Sequence, residues 1–439
     1  METINAGLIG FGTVGTGVYR VLTENADVIE KKLGCRLRLK KIADRDVERD
    51  RGVKVDPALL TADPSEVIND PGISIVIELI GGTGAAREFI VEALAKGKHV
   101  VTANKALLST HGREIFETAR SMGLDIGFEA SVGGGIPVIK ALREGLAANH
   151  VESICGIING TANYILSRMT SDGGRFEDVL AEAQARGYAE ADPTYDVEGI
   201  DTAHKLAILI NIAYGTYVEL DSIYTEGISR ITPLDIAFAA EFGYRVKLLA
   251  IAKSEDGEIE ARVHPTMIPA THPLASVDGA FNAVHIEGDA VGPVMLYGLG
   301  AGMMPTASAV VADVVDIARN MRNGVGRRLE PLSYMHGAVR EAAVRPMDEL
   351  DIPWYLRFSA LDRPGVLSRI AGVLGAHNIS ISSVIQKGRQ AGEAVPLVIL
   401  THHAKERQMR AALAEIETLD VVRDRPAYIR IEENLGASR

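Results

Sequence analysis

The chain opens on an apolar segment, Ile4-Asn5-Ala6-Gly7-Leu8-Ile9, followed by a glycine-rich turn and a helical run through Thr16-Gly17-Val18-Tyr19-Arg20-Val21-Leu22. That order predicts strand, turn and helix. A second strand is expected over residues 37–43 and a third over 73–80. The third is almost uninterrupted in its apolar character, as a parallel strand covered on both faces requires. Gly81-Gly82-Thr83-Gly84 and a helix through Leu94 follow it, and residues 99–105 read as a further strand that ends in polar residues. Later strands are expected over 245–252 and 283–287, and a helix from about Ala307 to Met321 is expected to return to the first domain. A charged linker with Pro331, Pro346 and Pro353 marks a boundary. Beyond it, residues 355–361, 365–377, 379–386, 395–402, 405–416 and 421–431 alternate as strand, helix, strand, strand, helix, strand, a ferredoxin-like βαββαβ module.

The glycines give the first domain its chemistry. Gly10-Phe11-Gly12-Thr13-Val14-Gly15 fits G-x-G-x-x-G in its required strand-turn-helix setting. Gly10 permits the tight turn, Gly12 lets a pyrophosphate approach the backbone, and Gly15 lets helix pack on strand. The helix N-terminus then receives the phosphates. A Rossmann-type, doubly wound nucleotide-binding domain is therefore expected. At the end of the second strand the signals conflict. Asp44 or Asp46 would accept from a free ribose 2′-hydroxyl and favour NAD, whereas Arg45, with Lys54, would pair with a 2′-phosphate and favour NADP. Both cofactors stay open. Lys105 lies at the carboxyl edge of the sheet, where open α/β folds bind ligands.

A second concentration of chemistry spans residues 183–205, where Glu190, Asp192, Asp196, Glu198 and Asp201 crowd around two glycines and a proline. This acidic stretch runs into the apolar residues 200–210, which read as a buried helix. Charges inside such a helix are costly unless used. Asp201 and Lys205 are four residues apart and share one helix face. The acidic loop before them suits an ammonium group. His204 faces away from Asp201 and reads as structural. Two glycine-rich stretches complete the candidates. Residues 129–137 contain Gly133-Gly134-Gly135, which can aim carbonyl oxygens at a cation or serve as an interdomain bend, and Asn159-Gly160-Thr161-Ala162-Asn163 offers amides for a ligand cleft. Gly302 would let the following helix bring its N-terminal backbone close to the cofactor.

The overall bounds agree with this picture. At 439 residues, with roughly 150 per domain, about three domains are expected. A formal charge of −12 argues against a nucleic-acid binder. No segment is long and uncharged enough to span a bilayer, and the N-terminus lacks the layout of a secretory signal, so a cytoplasmic protein is expected. The two cysteines, Cys35 and Cys155, have neither zinc spacing nor partners for a disulfide framework.

Together these residues resemble the homoserine dehydrogenase family, in its longer form with a carboxyl-terminal ACT domain. The spacing of Ala183, Gly187, Tyr188, Ala189, Asp192, Pro193, Asp196, Val197, Gly199, Asp201 and Lys205 carries the resemblance most specifically, supported by the first glycine motif, Thr102-Ala103-Asn104-Lys105, residues 129–137 and residues 298–306. The implied fold class is α/β. It comprises a Rossmann-type domain at 1–133, completed by about 303–345, an α+β substrate and dimerisation domain at 134–302, and a ferredoxin-like ACT domain at 354–432. The resemblance implies NAD(P)-dependent interconversion of L-homoserine and L-aspartate 4-semialdehyde, a step towards threonine and methionine. By that resemblance Lys205 is the proton donor to the aldehyde oxygen and Lys105 assists or bridges cofactor and substrate, although proton transfer is open to both lysines. Glu190 and Asp201 bind the ammonium group, and Asp196 holds Asp201 or Lys205 in place. Gly187 and Gly302 lie by the nicotinamide. A structural sodium-like cation takes backbone oxygens of Glu129, Val132, Gly134 and Ile136. Threonine is the expected ACT effector, near 362–367 and 377–380, and a homodimer or homotetramer is expected. The kinase segment of the family's bifunctional form is expected to be absent. An aspartate-semialdehyde dehydrogenase would need a nucleophilic cysteine, which neither Cys35 nor Cys155 suits. A non-catalytic sensor is the other alternative, and the intact lysine and carboxylate set argues against it.

Overall fold

The computed structural model describes residues 2–255, 257–387 and 393–435. The chain folds into two compact units that interleave in sequence. One holds residues 1–151, 203–222 and 281–342, and the other holds 152–202, 223–280 and 343–439.

In the first unit the strands β1 (Thr3–Ile9), β2 (Arg36–Ala43), β3 (Leu60–Thr61), β4 (Ile75–Glu78), β5 (His99–Thr102) and β6 (Ile126–Gly127) form a sheet in the order β3-β2-β1-β4-β5-β6. Every pairing in it is parallel. This is the doubly wound nucleotide-binding order, with its switch point between β1 and β4. The expected fold class is what forms. Strand β4 is buried along its whole length, which explains its apolar run. The helix Thr13–Glu24 leaves β1 directly, and the helix Met303–Arg322 packs on it so tightly that a Cβ on Gly17 would sit 2.7 Å from the Met303 carbonyl oxygen. That second helix begins four residues before the expected Ala307. Pro305 does not prevent this, because first-turn amides have no intrahelical acceptor to lose. Ile4, Leu8, Val18, Ile75, Ile77, Val310 and Val314 share the unit's core.

The second unit takes β7 (Val151–Ile157), β8 (Tyr224–Thr225), β9 (Tyr244–Glu255) and β10 (Glu258–Pro269). The hairpin β11 (Phe281–Gly288) and β12 (Gly292–Leu299) belongs to the first unit. Then come β13 (Asp351–Ile352), β14 (Trp354–Leu361), β15 (Ile381–Gln386), β16 (Ala394–Thr401), β17 (Ala404–Lys405) and β18 (Ala427–Ile431), all in the second unit. Strand order within it runs β7-β9-β10-β18-β14-β16-β15, with β8 beside β10. Strands β14, β15, β16 and β18, with the helices Val366–Ala376 and Glu406–Glu417, make the expected ferredoxin-like module. Its final strand does more than close the module. β18 pairs in parallel with β10 through Thr266–Arg430 and Met267–Ile431.

Buried charges reinforce that seam. Arg430 is 1% exposed and donates to Glu406 from Nε at 2.9 Å and Nη2 at 2.7 Å, and to Glu226 from Nη1 at 2.7 Å. Its guanidinium lies over Tyr224, Trp354 and Tyr428. One strand over, Arg262 pairs with Glu260 and Glu432. Both arginines titrate above their usual range because these carboxylates outweigh the burial that opposes their charge.

Candidate active site

In the first unit the glycine turn meets its geometric demands. Gly10 has φ of +100°, and a Cβ there would lie 2.7 Å from the backbone of Leu79. A Cβ on Gly15 would strike the Gly10 carbonyl oxygen, whereas Gly12 faces open space with nothing within 4 Å. Gly12 is also the N-cap of the helix Thr13–Glu24, whose first-turn amides around Thr13 and Val14 have no side-chain cap and no acidic neighbour in that turn. Room, amide donors and a dipole end therefore converge where a pyrophosphate is expected. Phe11 is buried, and its amide donates to Asp44 Oδ2 at 2.6 Å. Arg45 and Lys54 are both exposed.

The sheet's carboxyl edge is tied together by a network that sequence reasoning missed. Glu78, fully buried at the end of β4, accepts from Thr102 Oγ1 at 2.7 Å and from the Ile80 amide at 2.8 Å. Burial pushes its carboxyl above the usual range against these bonds. Thr102 Oγ1 accepts from the Asn104 amide, and Asn104 donates to Gly82 O at 2.7 Å while capping Leu107 N at 3.1 Å. The signal was present as a carboxylate closing an apolar strand. Its consequence corrects one expectation: β5 stops at Thr102, and Lys105 is the first residue of the helix Lys105–Ser121. The cap at Asn104 forces that change of backbone.

Lys205 lies in the same unit, buried on the helix Ile200–Tyr214. Its neighbour His204 meets Ser109 Oγ at 2.5 Å through Nδ1. Ser109 follows Lys105 by one helical turn, so this bond joins the two lysine-bearing helices. Asp201, one turn before Lys205, is likewise buried.

In the second unit one amide gathers two of the carboxylates. Asn159 Nδ2 donates to Asp196 Oδ1 at 2.7 Å and to Asp201 Oδ2 at 2.9 Å, while its Oδ1 caps Ala162 N at 2.8 Å. Asn163 turns elsewhere and holds the loop at Val277 and Gly279. Glu190 is exposed in the preceding loop, whose backbone is pinned by Gln184 on the Glu190 carbonyl at 3.0 Å. Gly187 has φ of +75°, and the adjacent Tyr188 stacks on Tyr164 with centroids 4.6 Å apart.

The run at 129–137 belongs to the first unit. Gly133 and Gly134 have φ of +72° and +54°, and a Cβ on Gly134 would strike the Gly300 carbonyl, so the turn lies against the end of the β11–β12 hairpin. Val132 and Ile136 are buried, and Gly302 has φ of +117° at the N-cap of the helix Met303–Arg322. The Glu129 carboxylate is committed to the amides of Ile139 and Lys140 at 2.8 and 2.9 Å. Its own amide donates to Asp313 Oδ2 at 2.8 Å. Burial and the nearby Asp313 push Glu129 up to about 7, and burial pushes Asp313 up to about 6. Among the described residues no three His, Cys, Asp or Glu side chains cluster to hold a metal. Both cysteines are buried, and burial pushes the Cys155 thiol up to about 12, which leaves no thiolate nucleophile there.

The Rossmann-type sheet, the open glycine turn and the buried lysine and carboxylate helix define a dinucleotide-dependent oxidoreductase with a carboxyl-terminal ferredoxin-like module. Residues 10–129 match the family model for the homoserine dehydrogenase NAD binding domain, residues 137–315 match homoserine dehydrogenase, and residues 354–420 match the ACT domain. The chain belongs to the homoserine dehydrogenase family, oxidoreductases that act on a CH–OH group. It is 47% identical to a homoserine dehydrogenase of Neisseria gonorrhoeae, over 98% of this chain and 99% of that one. It is 46% identical to one of Pseudomonas aeruginosa, over 99% and 100%. The crystal structure of a homoserine dehydrogenase from Thiobacillus denitrificans matches with a TM-score of 0.93 and 48% identity, covering 99% of each chain. A hyperthermophilic archaeal homoserine dehydrogenase in complex with NADPH matches with a TM-score of 0.62 and 27% identity, covering 74% of this chain and all of that one.

Proposed function

We propose that the chain interconverts L-homoserine and L-aspartate 4-semialdehyde reversibly with NADP or NAD, on the way to threonine and methionine. The observation that carries this reading is the buried helix on which Asp201 and Lys205 stand four residues apart. The bound nicotinamide supplies or accepts the hydride. Lys205 gives a proton to the aldehyde oxygen during reduction and takes it from the hydroxyl during oxidation, with Lys105 assisting at the edge of the sheet. Glu190 and Asp201 hold the substrate ammonium. Asp196 shares the Asn159 amide with Asp201, which fixes the orientation of both carboxylates.

The same reading includes a structural sodium-like cation on backbone oxygens of Glu129, Val132, Gly134 and Ile136. Two positive-φ glycines there are what a loop needs to turn its carbonyls inward. It also includes a homodimer or homotetramer, for which the exposed row Phe281, Met295, Tyr297 and Leu299 on the β11–β12 hairpin is suited. The ACT domain is the seat of regulation by an amino acid, with threonine as the first candidate.

The test follows oxidation of NADPH and of NADH by L-aspartate 4-semialdehyde. The intact chain should turn over, and Lys205→Ala should lose about 100-fold or more in kcat, the scale of removing a general acid. Undiminished turnover in that variant would remove Lys205 from the mechanism. Unchanged activity in millimolar threonine would remove threonine as the effector.

A further inference from the structure

The site that chooses between the two cofactors contains an arginine that spacing did not flag. Arg51 is folded back onto the glycine turn, with its side chain only 7% exposed. Its Nε donates to the Phe11 carbonyl at 2.5 Å, Nη1 to Arg49 O at 2.8 Å and Nη2 to Asp46 O at 2.5 Å. Nη2 also stands 3.1 Å from Asp44 Oδ1, and the guanidinium lies 4.9 Å from the centroid of the Phe11 ring.

Asp44 occupies the position from which a carboxylate at the end of the second strand accepts the ribose hydroxyls in NAD-dependent folds. Here both of its oxygens are already engaged. Oδ2 accepts the Phe11 amide at 2.6 Å and Oδ1 accepts the Asp46 amide at 2.9 Å, while Arg51 offsets the charge. Two further carboxylates in the loop are turned on their own backbone, Asp46 on Arg49 N and Asp50 on Gly52 N. Arg45, Arg49 and Lys54 stay exposed, as does Glu48.

We propose that Arg51 sets the cofactor preference. By engaging Asp44 and neutralising it, Arg51 converts the ribose acceptor into a clamp on the glycine turn and makes a 2′-phosphate the better ligand, so the chain prefers NADP. This rests on the dinucleotide-dependent reading above and adds to it the choice of cofactor and the residue that makes it. Arg45 and Lys54 supply cations for the phosphate. Arg51 itself acts through Asp44 and is a positioning residue.

The experiment is equilibrium titration of the full chain with NADPH and NADH in the absence of substrate, read by nicotinamide fluorescence. The intact chain should bind NADPH tighter by about tenfold or more, the scale of one charge-assisted pair. Arg51→Ala bares Asp44 to the phosphate and should cut that preference by about tenfold, chiefly through NADPH. The double variant Arg51→Ala with Asp44→Asn removes the bared charge and should restore the preference to within about threefold of the intact chain. The restoration separates a charge effect from simple collapse of the loop. Equal affinities in the intact chain, or an Arg51→Ala variant that weakens both cofactors by one factor with no recovery in the double variant, would overturn the proposal. Failure of the intact chain to bind either cofactor would instead sink the dinucleotide reading itself.

Discussion

Replacing Asn159 with alanine removes one side chain that holds two carboxylates and caps a helix. The bond from Nδ2 to Asp201 Oδ2 at 2.9 Å is buried, and a hydrogen bond to a charged acceptor contributes about 1.5–3 kcal/mol. If that bond serves to orient Asp201 towards the substrate ammonium, its loss appears in kcat/KM as roughly 10- to 150-fold, at about 1.4 kcal/mol per tenfold. Stability should fall separately by about 1 kcal/mol from the lost cap on Ala162 N. Asn159→Asp keeps the cap acceptor but faces Asp196 and Asp201 with a third carboxylate, so its kinetic loss should exceed that of the alanine variant. The assay is steady-state reduction of L-aspartate 4-semialdehyde, with the effect expected mainly in KM for that substrate. A folded Asn159→Ala enzyme whose kcat/KM stays within about twofold of the parent would refute the positioning argument.

Two further outcomes concern stability. Glu406→Gln leaves Arg430 buried with a weakened partner set at the β10–β18 seam, and should cost about 3–5 kcal/mol in urea unfolding of that unit. A change below about 1 kcal/mol would show that Glu226 and the aromatic rings suffice. The second outcome is a pH dependence. Glu129 and Asp313 have folded pKa values of about 7 and about 6, raised from 4.5 and 3.8, so between those limits the folded state binds more protons than the unfolded one. Stability therefore falls as pH rises through this window, by on the order of 6 kcal/mol for the two groups together, and levels off above it. Urea midpoints from pH 4 to 8 should show the slope, and Asp313→Asn should flatten it; an identical slope in the variant would assign it to other groups.

Much of this protein is determined locally. The glycine motif, the uninterrupted apolar run that becomes β4, and the βαββαβ periodicity after Trp354 each dictate an element through backbone sterics or face burial, which need no distant partner. Asp201 and Lys205 were legible for the same reason, because helical spacing alone puts them on one face. What depended on contacts remote in sequence was not legible. Asn159 meets Asp196 and Asp201 about 40 residues away, Arg51 reaches back the same distance to Phe11, and Arg430 finds Glu226 some 200 residues off. Chain closure, not periodicity, brings such groups together, and whether Asp44 is a free acceptor or a spent one follows from that closure. Local residue order is enough to say which elements form and which residues carry charge. Which of those charges are already paired emerges with packing, because burial and long-range hydrogen bonding act after the elements have come together.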